Sequence, residues 1–206
     1  MLIKIDHICY ACSLNEEQDV LKKYSDYNLK FTEKNLKNID IKKKILSCKN
    51  EHHNINYLES TNALPIEITS YQNICEEQNS LLYDDKKSLL RILSNNVHLT
   101  EALFVLCGAK FQQECDDYAI GTIKGIFDKK VLNIEIVYSD KGTKWILDGE
   151  GVCCLAIVVK DINEERKKWV KNFEATKIEE LEVNGRKLKI FFGLGKCGEK
   201  IEVISL

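Results

Sequence analysis

One short phrase occurs three times in this chain of 206 residues, and each copy sets a glutamate inside a β-branched run. Residues 65–70 read Pro-Ile-Glu-Ile-Thr-Ser, 133–138 read Asn-Ile-Glu-Ile-Val-Tyr, and 200–205 read Lys-Ile-Glu-Val-Ile-Ser. The glutamates, Glu67, Glu135 and Glu202, fall 68 and 67 residues apart. A near-constant period marks a structural unit repeated along the chain. A lone carboxylate within an apolar strand needs a partner or water, because burying it unpaired is costly. The phrase therefore bears on architecture and on a site.

The segments between the copies fill in the unit. Residues 2–12 form a β-rich run in which Ile3, Ile5, His7, Cys9 and Ala11 share one face and Ile8 and Tyr10 the other. Ser13 or Asn15 can cap a following helix, with Glu16 and Glu17 in its first turn and Val20, Leu21 and Tyr24 as its apolar stripe. Strands are expected from Asn28-Leu29-Lys30-Phe31, near 39–47, near 54–59 and at 65–71, giving the order β-α-β-β-β.

Residues 150–206 repeat the order. They hold a strand at 151–159, Asp161 as N-cap, and a helix with Ile162, Arg166, Trp169, Val170 and Phe173 on one face. A hairpin turning at Asn184-Gly185 and a last strand at 199–205 complete the unit. The middle unit, 86–140, is less regular: a first strand at 89–93, a helix at 97–107 ended by Gly108, and strands near 118–127 and 131–138. Residues 72–87 and 139–150 read as polar linkers. The expectation is an α+β protein of three modules, 1–71, 86–140 and 150–206, making one compact unit.

Composition removes several classes of function. With 30 basic and 32 acidic residues well mixed, the net charge is −2 and no basic face suits nucleic acid. The short run Lys42-Lys43-Lys44 reads as a solvated strand or turn. No apolar stretch approaches the roughly 18 residues of a membrane span. The N-terminus lacks a signal-peptide layout, so a cytoplasmic protein is expected. Nine scattered cysteines are odd in number and do not suggest a disulfide framework. Cys9-Tyr10-Ala11-Cys12 matches C-x-x-C, but a strand would turn the two thiols to opposite faces. Gly193-Leu194-Gly195-Lys196-Cys197-Gly198 spells a dinucleotide motif but precedes a strand, so it reads as a loop. His52-His53 reads as a surface turn and His98 as an ordinary helix residue. Trp145 and Trp169 read as packing residues, with Trp145 a candidate to cover a cup.

Repeated β-α-β-β-β units, a first strand reading Ile-Asp-His-Ile and last strands reading Ile-Glu-Ile resemble the vicinal oxygen chelate superfamily. That superfamily includes glyoxalase I, methylmalonyl-CoA epimerase, extradiol dioxygenases and bleomycin- and fosfomycin-resistance proteins. The resemblance implies that two modules pair and that their curved mixed sheets form a cup. It also implies a divalent metal held by residues of the first and last strands. Carried onto this chain, the metal set is His7, Glu67, Cys154 and Glu202, with Glu67 and Glu202 as catalytic carboxylates and Glu135 a further candidate. Zinc, nickel, manganese or iron is the implied ion. Cys154 stands where the family often places histidine, and a thiolate suits zinc better than magnesium or manganese.

Three functions follow as alternatives. The first is a protein that binds a small molecule in the cup, with a degenerate metal site. The second is a metal-dependent lyase or isomerase resembling glyoxalase or epimerase. The third is an interaction protein, because an odd module needs a partner, and a second copy of the chain is a candidate. Modules one and three supply the fullest ligand set, whereas one and two are neighbours in sequence.

Overall fold

The structure is a computed structural model. It describes residues 1–77, 79–128, 131–141 and 144–205, and the backbone alone of residues 113 and 114. Positions 78 and 142–143 of the expected linkers lie outside the described residues.

The first module runs β1 (Leu2–Ser13), α1 (Glu17–Lys23), β2 (Asn28–Lys37), α2 (Asp40–Lys43), β3 (His52–Glu59) and β4 (Ile66–Tyr71). The strand expected near 39–47 is instead the single-turn helix α2 and a following turn. Over so short a run the apolar residues suit a turn as well as a strand: Ile41 is buried, while Lys42, Lys43 and Lys44 stay at or near the surface. Ser13 bonds the Glu16 carboxylate at 2.6 Å rather than a helix amide, so α1 begins without a side-chain cap. The middle stretch contains β5 (Leu81–Asp84), β6 (Leu89–Ser94), α3 (Val97–Leu106), β7 (Lys110–Cys115), β8 (Tyr118–Ile123) and β9 (Leu132–Tyr138). β5 lies in what the sequence suggested was linker. Gly108 follows α3 at a φ of +94°, the left-handed stop expected there.

The last module runs β10 (Gly151–Val159), α4 (Ile162–Asn172), β11 (Glu174–Ala175), β12 (Glu179–Val183), β13 (Arg186–Leu194) and β14 (Lys200–Ser205). Asp161 caps α4 by accepting from the amides of Asn163 and Glu164, both at 3.0 Å. Asn184 and Gly185 turn the β12–β13 hairpin at φ values of +49° and +70°, as an Asn-Gly pair does.

Each module closes the same way: its first strand pairs in parallel with its last, β1 with β4, β6 with β9, and β10 with β14. Modules one and three then meet through their first strands. β1 and β10 run antiparallel, with Ile8 opposite Leu155, His7 opposite Ala156 and Cys9 opposite Cys154. The sheet continues β2-β3-β4-β1-β10-β14-β13-β12, and the β10 edge also takes one pairing with β5 at Val152 and Leu81. The pairing is thus between modules that are not neighbours in sequence.

Alternation decides what each face of this sheet carries. Ile66, Ile68, Ile201 and Val203 point to the outer face, where α1, α4 and the middle module cover them. Trp169 of α4 packs there against Phe191, with ring centroids 6.3 Å apart. The residues between them, Glu67, Glu202, Phe192 and Ile204, point to the inner face and line a cavity of about 300 Å³. Trp145 is fully buried against Phe104 in the outer core. It seals the middle module to the outer face and does not cover the cup.

The middle module also docks on β1 through its 125–128 loop. The amide of Phe127 donates to the Ile3 carbonyl at 3.0 Å, and the Asp128 carboxylate accepts from the Ile5 amide at 3.1 Å. A Cβ on Gly125 would lie 2.4 Å from the Ile3 carbonyl oxygen and from the Lys4 Cα. Both are backbone atoms and cannot swing aside. Gly125→Ala is therefore expected to cost about 1–3 kcal/mol, the usual penalty of overpacking, read as a lowered urea midpoint.

Candidate functional site

The floor of the cup is built where β1 lies between β4 and β10. β1 contributes His7, β4 contributes Glu67, and β14 contributes Glu202 from the other module. The His7 Nε2 is 3.7 Å from Glu67 Oε2 and 3.9 Å from Glu202 Oε2. Its Nδ1 is 2.9 Å from Asp6 Oδ2. His7 is 3% exposed, and its Nε2 has no hydrogen-bond partner.

Asp6 and His7 are consecutive, so a regular strand would turn them apart. The β1–β10 register slips between Ile5 and His7, and a bulge of this kind re-aims a side chain. Asp6 then accepts a hydrogen bond from Nδ1 and leaves Nε2 facing the two glutamates, the orientation a supporting carboxylate imposes on a histidine. Lys4 in turn lies 2.5 Å from Asp6. Tyr57 meets the His7 ring edge-on at 5.7 Å and stacks on Phe31 at 5.2 Å. Thr69 donates to Glu67 Oε1 at 3.1 Å.

The electrostatics follow from this crowding. Burial opposes charge on His7, but Glu67, Asp6 and Glu202 outweigh it and raise its pKa from 6.5 to about 9. Burial, with Glu67 beside it, pushes Glu202 up to about 7. Asp6 is also buried, yet its bonds to His7 and Lys4 hold it well below the usual carboxylate range.

Two further features were not legible in sequence. Cys9, two residues beyond His7 on the same strand face, joins His7 and Glu67 in a group whose potential ligand atoms all lie within 4.8 Å of one another. Cys154 sits directly opposite Cys9, with its Sγ donating to the carbonyls of Lys200 at 3.2 Å and Leu155 at 3.5 Å. It is beside the cluster rather than in it. His53, the second residue of β3, faces the cup, where it is 5% exposed, stacks on Tyr71 and lies 3.2 Å from Lys42 Nζ. The surface turn expected at His52-His53 is thus a strand with one inward histidine. Glu135 is not in the cup: it pairs with Arg91 and accepts from the Tyr118 hydroxyl at 2.9 Å on the middle module.

Above the floor the walls are apolar, with Phe31, Ile39, Ile55, Leu188, Ile190 and Phe192 drawn from both modules. Five cations line the cavity. Lys4 and Lys30 are paired with Asp6 and Glu59. Among the described residues, Lys37, Lys42 and Arg186 have no carboxylate within ion-pair distance.

No protein-family model and no curated protein matches the chain. Solved structures similar to it include glyoxalase I from Zea mays, at 14% identity over 99% of this chain and 68% of that one, with a TM-score of 0.42. Methylmalonyl-CoA epimerase from Streptomyces coelicolor matches at 13% identity over 100% of this chain and 98% of that one, at 0.44. A glyoxalase family protein from Enterococcus faecalis matches at 20% identity over 55% of this chain and 92% of that one, at 0.41. Parallel first-to-last strand pairing in each module and antiparallel first-strand pairing between modules one and three are the arrangement that the resemblance to the vicinal oxygen chelate superfamily implies. In its terms, His7 and Cys154 are corresponding first-strand positions about the Ile8–Leu155 centre, and Glu67 and Glu202 are corresponding last-strand positions. No helix among the described residues is long and apolar enough to cross a membrane.

The raised pKa values set the pH dependence of stability. Between about 4.5 and 7 the folded state holds a proton on Glu202 that the unfolded state has lost, so stability falls as pH rises. His7 extends the same trend: its contribution is complete below 6.5 and is lost as pH rises through about 9. The metal-free protein should lose on the order of 3 kcal/mol across that second window. Denaturation midpoints should show it, and His7→Gln should flatten the profile there.

Proposed function

We propose that the cup binds a small acidic organic molecule above a divalent-ion site formed by His7, Glu67 and Glu202. The observation that carries this reading is the buried, unpartnered Nε2 of His7 facing carboxylates from two modules. Nitrogen and carboxylate oxygen donors of this kind fit a divalent ion, and the carboxylate behind Nδ1 is the support such a histidine ligand receives. When bound, the ion would polarise a carbonyl or hydroxyl oxygen of the ligand.

The chain's own residues supply the rest. Glu202, with a pKa near neutrality, can take a proton from a carbon or oxygen next to the polarised group and return it. The apolar walls exclude water from the floor and bind the body of the ligand. Lys37, Lys42 and Arg186 favour a negatively charged end at the opening. This is a lyase or isomerase geometry as well as a binding geometry. An open cup of about 300 Å³ counts against a purely structural role, in which the space would be filled.

Elemental analysis of the purified protein should find close to one divalent ion per chain, lost in both His7→Ala and Glu67→Ala. A parent protein that stays metal-free after incubation with divalent ions would overturn the ion site. Because the ion must displace the His7 proton, its affinity should rise with pH between about 6.5 and 9.

The ligand class is tested separately with two dyes sharing one apolar body, anionic 1-anilinonaphthalene-8-sulfonate and uncharged N-phenyl-1-naphthylamine. The anionic dye should bind roughly tenfold more tightly, and replacing Lys37, Lys42 and Arg186 by glutamine should remove that preference while the uncharged dye binds as before. Equal affinities would contradict an acidic ligand.

A further inference from the structure

The thiol nearest the candidate ion site is unexplained by a ligand set of histidine and carboxylates alone. Cys9 follows His7 by two residues and so shares its strand face. In the parallel β1–β4 ladder Cys9 is the direct partner of Glu67. Strand periodicity and register together bring a sulfur, an imidazole nitrogen and a carboxylate oxygen within 4.8 Å of one another. The imidazole is 97% buried and its Nε2 is unpartnered. Cys9 is 5% exposed, so its sulfur is shielded from bulk solvent while facing this cluster.

We propose that Cys9 is a ligand at this site, together with His7 and Glu67, and that the site selects a thiophilic divalent ion such as zinc over magnesium or manganese. The inference rests on the ion site proposed above and deepens it. A thiolate is a soft donor that zinc and cobalt accept readily and that magnesium and manganese do not. On binding, the Cys9 S–H bond breaks, its proton leaves to solvent, and the sulfur lone pair forms the metal bond. No change of oxidation state is involved.

Three donors from β1 and β4 make a set that belongs to the first module alone, with Glu202 reaching it through His7 at 3.9 Å. Cys9 thus adds a sulfur donor to the site, and Glu202 remains the donor that the third module supplies. The two thiols on β10 lie against Cys9 and carry backbone bonds of their own. Cys153 Sγ donates to the Cys9 carbonyl at 3.6 Å, and Cys154 Sγ to the carbonyls of Lys200 and Leu155.

The test is cobalt substitution of the chelator-stripped full chain, read by absorption rather than by activity. Cobalt bound by a thiolate gives a near-ultraviolet sulfur-to-metal charge-transfer band beside the visible bands that any low-symmetry cobalt site shows. Both should be present in the parent protein and in Cys154→Ala. Cys9→Ala and Cys9→Ser should lose the charge-transfer band while circular dichroism shows the fold intact, and their zinc affinity in chelator competition should fall at least tenfold. Magnesium and manganese in hundredfold excess should leave the cobalt spectrum of the parent unchanged.

Visible bands without charge transfer in the parent would overturn the thiolate ligand and leave the ion site standing. A charge-transfer band that survives in Cys9→Ala and vanishes in Cys154→Ala would assign the sulfur to the other strand and overturn the proposal. Failure of cobalt and zinc to bind the parent at all would overturn both the proposal and the ion site.

Discussion

The antiparallel ladder between β1 and β10 is the contact on which the rest of the molecule depends. It joins strands about 150 residues apart and centres on Ile8 opposite Leu155. Because side chains alternate along a strand, this one register fixes both faces at once. It turns Ile8 and Leu155 outward into the large core and turns His7, Cys9, Cys154 and Ala156 inward to the cup. The parallel partners β4 and β14 then carry Glu67 and Glu202 to the same floor. A slip of one residue in the ladder would send the histidine to the outer core and an isoleucine to the site.

The same arrangement explains the middle module. Modules one and three satisfy each other's first strands, so the third copy has no first strand to pair with. Its apolar face is spent on the outer side of the shared sheet, where Leu90, Ile92, Phe104 and Ile136 join Trp169, Phe191 and Val203 in one core. Outside the cup, its glutamate is a half-buried residue held by Arg91 and Tyr118. The middle module acts as a buttress on that outer side. β5, with its single pairing to β10, ties that buttress to the central ladder.

The architecture was legible because local signals agree: the Ile-Glu-Ile phrase and its period, the helix stop at Gly108, the cap at Asp161, and the Asn184-Gly185 turn. His7, Glu67 and Glu202 were legible from their places on first and last strands, and the structure draws these three together. The remainder was hidden for physical reasons. α2 was misread as a strand because Ile39, Ile41 and Ile45 suit either periodicity over so short a run. Asp6 joins the site only through a register slip, which no residue pattern announces. Cys9 and Cys154 are equivalent in composition and differ only in what surrounds each sulfur. His53 looked like one of a solvated pair because the next strand begins at His52, so only the second histidine turns inward. Trp145 stands in a polar stretch whose burial depends entirely on a module packed from elsewhere in the chain.

The central claim is that a histidine of the first module and a carboxylate of the third share one buried site. Imidazole nitrogen resonances of isotope-labelled, metal-free protein, followed from pH 5 to 10, test it directly. The account predicts that His7 titrates near 9 in the parent and that Glu202→Gln lowers this value measurably, while Glu135→Gln leaves it unchanged. A His7 that titrates at its ordinary 6.5 in the parent and is indifferent to Glu202→Gln would contradict the pairing of these two modules around the site.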